Sequence, residues 1–234
     1  ATKLTEGAFQ NVNFPFLPKR KAFYVISSVL ILISLVSLAT RGLNEGVDFT
    51  GGRAYIVRFD HPVNTVEVQS SLADELGQPP QVKVFGDDNQ IKLTTQYKIE
   101  QEGREVDEEV VQKLYAGLQP YMEGETSLEE FTNDYIQSEL KVGPTVAYDI
   151  RVQAVWAVVF ALLITFLYIF GRFRNWQYGL GALAALVHDV LIILGIFSLF
   201  YNIMPFSMEI DQAFIAAILT VVGYSINDTV VVYD

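Results

Sequence analysis

Residues Ala22–Thr40 read AFYVISSVLILISLVSLAT, nineteen side chains without a charge, and Lys19, Arg20 and Lys21 stand directly before them. At about 1.5 Å per helical residue such a run is long enough to cross a hydrocarbon core of roughly 30 Å. It is too long and too serine-studded for the apolar part of a signal peptide, and no small-residue cleavage site followed by a soluble chain comes after it. Working outward, Val152–Gly171 (VQAVWAVVFALLITFLYIFG) is a second uncharged run. Asn175–Met208 is apolar apart from His188 and Asp189, which predicts a helix over 177–200 and a loop beginning at Tyr201–Pro205. Gln212–Tyr233 is a fourth apolar stretch, interrupted by Asp228. These runs predict an α-helical polytopic membrane protein with four spans.

Composition agrees. The chain is 51% hydrophobic and 18% charged, with a mean hydropathy of +0.29; a soluble domain carries about 25% charged residues. Residues 41–149 hold 21 of the 27 acids and 9 of the 16 bases, a local net charge of −12. The pattern is that of an acidic, water-facing domain set into a membrane protein. It excludes a single soluble globule, and it excludes nucleic acid as a partner, because no run of bases could neutralise phosphates. With no cysteine, disulfides, thiol catalysis and Cys-based zinc sites are excluded. His61 and His188 are too few and too far apart in sequence for a His-rich metal site.

Bases set the expected orientation. Lys19–Lys21 precede the first span, Arg172 and Arg174 separate the second and third, and the loop between the third and fourth carries Glu209 and Asp211 but no base. The positive-inside rule places the N-terminus and the 172–176 loop in the cytoplasm. The expected order is a cytoplasmic segment 1–21, span 22–40, periplasmic domain 41–149, span 150–171, cytoplasmic loop 172–176, span 177–200, periplasmic loop 201–211 and span 212–234. Trp156, Trp176 and Tyr178 fall near span ends, where amphipathic rings favour the interface. The chain starts at Ala1 without an initiator Met and is expected to be part of something larger.

Within the domain, Arg53–Phe59 is rich in β-branched and aromatic residues and reads as a strand. Asn64 can cap a helix to Leu76, with Val68, Leu72 and Leu76 on one face and Gly77 ending it. Gln81–Phe85 and Gln90–Thr95 alternate around Gly86-Asp87-Asp88-Asn89 as a hairpin. Val106–Met122 predicts a second helix with Val110, Leu114 and Leu118 on its apolar face, and Tyr135–Val142 a last strand. The order β-α-β-β-α-β is the ferredoxin-like split pattern. The acid run Glu105–Glu109 is expected to be a helix N-terminus bathed in water, where the helix dipole favours it. Gly46, Gly51 and Gly52 do not make a phosphate loop, since no Lys-Ser/Thr follows and a strand stands where that loop needs a helix. They read as a turn from membrane to sheet, with Asp48 and Thr50 bonding the local backbone.

Gly46-Val47-Asp48-Phe49-Thr50-Gly51-Gly52 after the first span, Val142-Gly143-Pro144 before the second, Leu186-Val187-His188-Asp189-Val190 in the third and Val222–Asp234 (VGYSINDTVVVYD) in the fourth occur in an order that resembles the SecF family of protein-export membrane proteins, free-standing or as the SecF half of a fused SecDF. The resemblance covers nearly the whole chain from about Asn13. It places the chain in the resistance-nodulation-division superfamily, with six spans per half. It implies a non-enzymatic auxiliary subunit of the Sec translocon, working with SecD, the SecY channel, the SecA motor and an unfolded secreted polypeptide in the cytoplasmic membrane, and using the proton gradient without a cofactor. Two family spans and an arginine in a later span lie outside this sequence. A small-molecule or lipid exporter of the same superfamily and a passive assembly scaffold are the competing functions.

The residues supply their own argument. A carboxylate inside a span is costly and usually faces a bundle interior or a wet cavity, which makes Asp228 the strongest candidate for proton exchange. Tyr224, Ser225 and Asn227, within a turn of it, offer hydroxyl and amide partners. Asp189 with His188 is a second candidate, though His188 reads equally as a structural group bonding a backbone carbonyl. Counting rise per residue puts Asp189 and Asp228 at different depths, which argues against a direct hydrogen bond between them and leaves a water-linked path open. Gly181, Ala185 and Asp189, and Ala216, Thr220, Gly223 and Asn227, form two small-residue stripes expected to pack the third and fourth spans together with their polar groups inside.

Overall fold

The structure, a computed structural model, describes residues 16–101, 103–173 and 175–233. In chain order it forms α1 (Phe16–Arg41), α2 (Val47–Thr50), β1 (Gly52–Arg58), α3 (Thr65–Leu76), β2 (Gln81–Phe85), β3 (Asp87–Thr95), α4 (Arg104–Leu118), α5 (Leu128–Glu130), β4 (Ile136–Val142), α6 (Pro144–Phe173), α7 (Trp176–Phe200) and α8 (Gln212–Tyr233). α1, α6, α7 and α8 are each long and apolar enough to cross a membrane. α6 begins at Pro144, so Trp156 stands about 18 Å along it, well inside the helix and not at its end.

The domain between α1 and α6 has the strand order β2-β3-β1-β4 with every neighbouring pair antiparallel, which is the ferredoxin-like arrangement. Alternation along the strands explains which face is covered. Tyr55 and Val57 of β1 and Ile91 and Leu93 of β3 point at α3 and α4, whose Val68, Leu72, Val110 and Leu114 are fully buried against them. Burying each such side chain contributes about 1.5–3 kcal/mol. Asn64 accepts from Val66 N at 3.0 Å as the cap of α3, and Gly77 ends that helix. The expected hairpin turn is tighter than its sequence suggested: β3 already starts at Asp87, with a register shift at Phe85.

Two of the run of acids at the start of α4 bond residues outside that helix, and a third, Glu108, pairs with Arg104 one turn before it. Asp107 Oδ1 accepts from Arg53 Nη2 at 2.8 Å and from Lys141 Nζ at 2.7 Å, and Glu109 accepts from Lys98 and from the Tyr97 hydroxyl. Arg53 is fully buried inside the sheet–helix layer, so its charge needs that partner. Hydrogen bonds from the Lys141 ammonium and then the Arg53 guanidinium hold the Asp107 carboxyl below the usual carboxylate range. Burial, followed by the charge of Glu139, pushes the Tyr55 hydroxyl well up.

α2, α5 and the π-helical turn at Phe131–Tyr135 have no counterpart in the sequence reading. α5 carries a complete capping box, Ser127 with Glu130, which is a readable signal.

Helices α1 and α7 run side by side in one register. Ser27 meets His188, Ser34 packs on Gly195 and Ser37 bonds Ser198 at 2.8 Å, always 161 residues apart. A constant offset means the helices are parallel, and the spacings of seven and three residues are those of a coiled-coil seam. A Cβ on Gly195 would stand 2.0 Å from Ser34 Oγ and 2.8 Å from its Cα, so only glycine lets the backbones approach this closely.

Candidate functional site

Halfway along the helices, polar side chains from three spans join. Ser27 Oγ of α1 lies 2.6 Å from Nε2 of His188, and Nδ1 of His188 lies 2.9 Å from Oδ1 of Asp189. Ser225 of α8 donates to Oδ2 of the same carboxylate at 2.6 Å. With Asp189 ionised, Nδ1–H donates to it and Nε2 accepts from Ser27, so the string has one consistent set of proton positions. His188 bonds two side chains, in place of the backbone carbonyl its structural reading suggested.

Asp189 and Ser225 also line a cavity of about 500 Å³ between α7 and α8, together with Ala185, Tyr224, Asp228, Thr229 and Tyr233. Asp228 sits about one turn beyond Ser225. Its carboxylate has no hydrogen-bond or ion-pair partner among the described residues and faces this space. Ser225 thus bonds Asp189 and lies three residues before Asp228 on α8. At the end away from the sheet domain, Tyr178, Tyr233 and Phe173 pack together with tilted and edge-on rings, Tyr178 and Tyr233 at 4.7 Å between ring centroids.

Not every candidate joins this group. Asn227 is exposed and absent from the cavity lining. The stripe Ala216, Thr220, Gly223 and Asn227 faces away from the described helices, and the buried face of α8 is Phe214, Ile218 and Val222. Small residues suggested close packing, but the contact is made by these bulkier apolar side chains, which pack by van der Waals contact with Leu186 of α7 and Phe49 of α2. Gly181 does lie against α8, where its missing side chain leaves room for the Tyr233 hydroxyl.

The glycine segment forms a junction of four elements. Gly46 N donates to Ile210 O at 2.8 Å, and Ile210 N donates to Asn44 O at 2.8 Å. Asp48 accepts from Gln212 N at 3.0 Å, so it caps α8 across the chain and not the local backbone. Asp211 accepts from Phe214 N beside it, which places two carboxylates at the positive end of the helix dipole. Thr50 does bond locally, to Gly46 O and Gly51 O. Gly51 has φ +74° and Gly52 φ +150°, and a Cβ on either would press on Pro144 or on Thr95 O, so both positions require glycine. Gly143 O accepts from Ala147 N as Pro144 opens α6. Among the described residues no group of three or more His, Asp or Glu side chains comes together as a metal site would.

The segment after α1 and the three later spans also match known families. Residues 36–63 match the SecD/SecF GG motif, and residues 124–234 match the C-terminal part of the protein export membrane protein SecD/SecF. The protein translocase subunit SecF of Rhodothermus marinus is 43% identical over 97% of this chain. The chain belongs to the SecF family. The SecF subunit of Haemophilus influenzae is 35% identical over 94% of the chain. The crystal structure of SecDF, a translocon-associated membrane protein from Thermus thermophilus, superposes with a TM-score of 0.71 at 28% identity, covering 92% of this chain. The chain spans 68% of the length of the first relative, 61% of the second and 26% of SecDF.

This SecF-family chain is therefore a multi-pass membrane protein with a ferredoxin-like domain between its first two spans. His188, Asp189, Ser225 and Asp228 fall within the matched 124–234 region. Ser27 falls outside both matched regions, and the sequence reading missed it. Its signal was the set Ser27, Ser34, Ser37 repeating the spacing of His188, Gly195, Ser198.

Proposed function

We propose that this chain works in the bacterial cytoplasmic membrane as the SecF-type auxiliary subunit of the Sec protein-export machinery. It pairs with a SecD half or subunit and acts beside the SecY channel and the SecA motor on an unfolded secreted polypeptide, with the sheet domain on the periplasmic side. The carrying observation is the string Ser27–His188–Asp189–Ser225, which joins three spans and opens on the cavity that holds Asp228. Such a string can move protons while changing how the helices are tied to one another. Protonating Asp189 removes its charge from the bonds to His188 and Ser225, and so loosens α7 from α8. One charge moved across 100 mV supplies about 2.3 kcal/mol, enough to bias a conformational switch.

Export driven by the proton gradient, measured against export driven by ATP alone, tests this. Asp228→Asn keeps size and hydrogen-bonding capacity but cannot exchange a proton. It should abolish the gradient-dependent part at normal membrane abundance, with Asp189→Asn reducing it less and Ser27→Ala less again. Normal gradient-dependent export by Asp228→Asn would leave the scaffold reading in its place.

A further inference from the structure

The loop over residues 201–211 joins α7 to α8, the two helices that share the cavity, and it is seated on the sheet domain. Val84 N donates to Pro205 O at 3.2 Å and Ser207 N donates to Val84 O at 3.3 Å, so the loop extends the sheet at the edge strand β2. Lys83 Nζ donates to Met204 O at 3.2 Å. Lys92 of β3 and Glu209 make an ion pair of 2.6 Å, with side chains 14% and 3% exposed. Ile210 is tied to Asn44 and Gly46, and Gln212, the first residue of α8, to Asp48.

A connection between two spans needs none of this; a short solvated loop would close the hairpin. An ion pair held away from water gives little net stability, yet removing one partner is costly because the other charge is left buried. Such a pair fixes position better than it adds strength. Met208 and Ile210, buried on either side of Glu209, close the seat.

We infer that the 201–211 loop is a rigid transmission that stays docked throughout the working cycle, so that the sheet domain and the domain-side end of α8 move as one body, with Lys92 and Glu209 as the positioning residues. The inference rests on the reading above for what drives the motion, but its geometry can be tested apart from it. Displacement of α8 at Ser225 and Asp228 then arrives at β3 without slack, and the domain turns with the helix.

The test uses the full-length protein in proteoliposomes. These 234 residues hold no cysteine, so with any cysteine elsewhere in the full-length protein replaced by serine, Asp87→Cys and Ala213→Cys, both exposed, can carry a pair of spin labels. The distance between them should stay single and unchanged when a proton gradient is imposed, and should broaden in Glu209→Gln and in Lys92→Met. Charge exchange, Lys92→Glu with Glu209→Lys, should narrow it again. In export, Glu209→Gln should lose most of the gradient-dependent part and keep the ATP-driven part. Linking Val84→Cys to Phe206→Cys with a short bifunctional thiol reagent should leave both parts intact. A wild-type distance that changes with the gradient, or loss of gradient-driven export on linking, would overturn the transmission. Normal export by Asp228→Asn would instead remove the proton reading, while the label distances would still decide whether domain and helix move together.

Discussion

At the scale of single residues, a charged group without water is held by what surrounds it, and Arg53, with Asp107 beside it, shows how. Arg53 is buried completely and depends on this carboxylate, which Lys141 also approaches. Because the folded Asp107 titrates below its ordinary value near about 3.9, its stabilisation is present above that value and lost as pH falls through the lower, folded one. Asp107→Asn should therefore lower the thermal midpoint at neutral pH and flatten the acid limb of a stability–pH curve. We expect a loss of about 1–2 kcal/mol, below that of a fully buried pair because water reaches Asp107. A midpoint with an unchanged acid limb would show that Asp107 is not the titrating partner. The sequence marked Asp189 and Asp228 because charges in apolar runs stand out. It could not mark Ser27 or Arg53 in the same way. Serine is unremarkable in a span, and Arg53 sits in a strand whose partner lies 54 residues on.

Secondary-structure elements were legible wherever one period governed them. α3 was readable from its cap and apolar face, β1 from its β-branched and aromatic content, and β2 and β3 from their alternation around a turn. The face that α8 turns inward was not legible, since small and large apolar residues both recur at helical spacing. The packing surface was settled by Phe214, Ile218 and Val222 against α7 and α2. For the α1–α7 pair the decisive element-scale prediction concerns Gly195. Gly195→Ala should force the helices apart, because its Cβ would meet Ser34 backbone as well as side chain. The cost should be about 1–3 kcal/mol, read as earlier thermal aggregation in detergent and partly relieved by Ser34→Gly. An unshifted transition in Gly195→Ala would mean that the close contact carries no stability.

For the whole molecule, the proposed topology follows from the bases at Lys19–Lys21 and Arg172 on one side and the acidic domain on the other. A single cysteine at Asp87 should react with an impermeant thiol reagent added outside the cell. One at Asn175 should react only after the membrane is opened; outside labelling of Asn175 would refute the orientation. The sheet domain was predictable because its pattern is local, whereas its attachment to loop 201–211 was not, since Glu209 and Lys92 lie 117 residues apart. The seam between α1 and α7 has a consequence for how the protein is made. Ser27, Ser34 and Ser37 have partners that leave the ribosome 161 residues later. At about 5–20 residues per second that is about 8–32 s of synthesis. During that interval α1 must wait in the bilayer, and the sheet domain and α6 are completed before its proper neighbour arrives. The serines suit such a wait, because a hydroxyl in a helix can bond its own backbone until a partner comes.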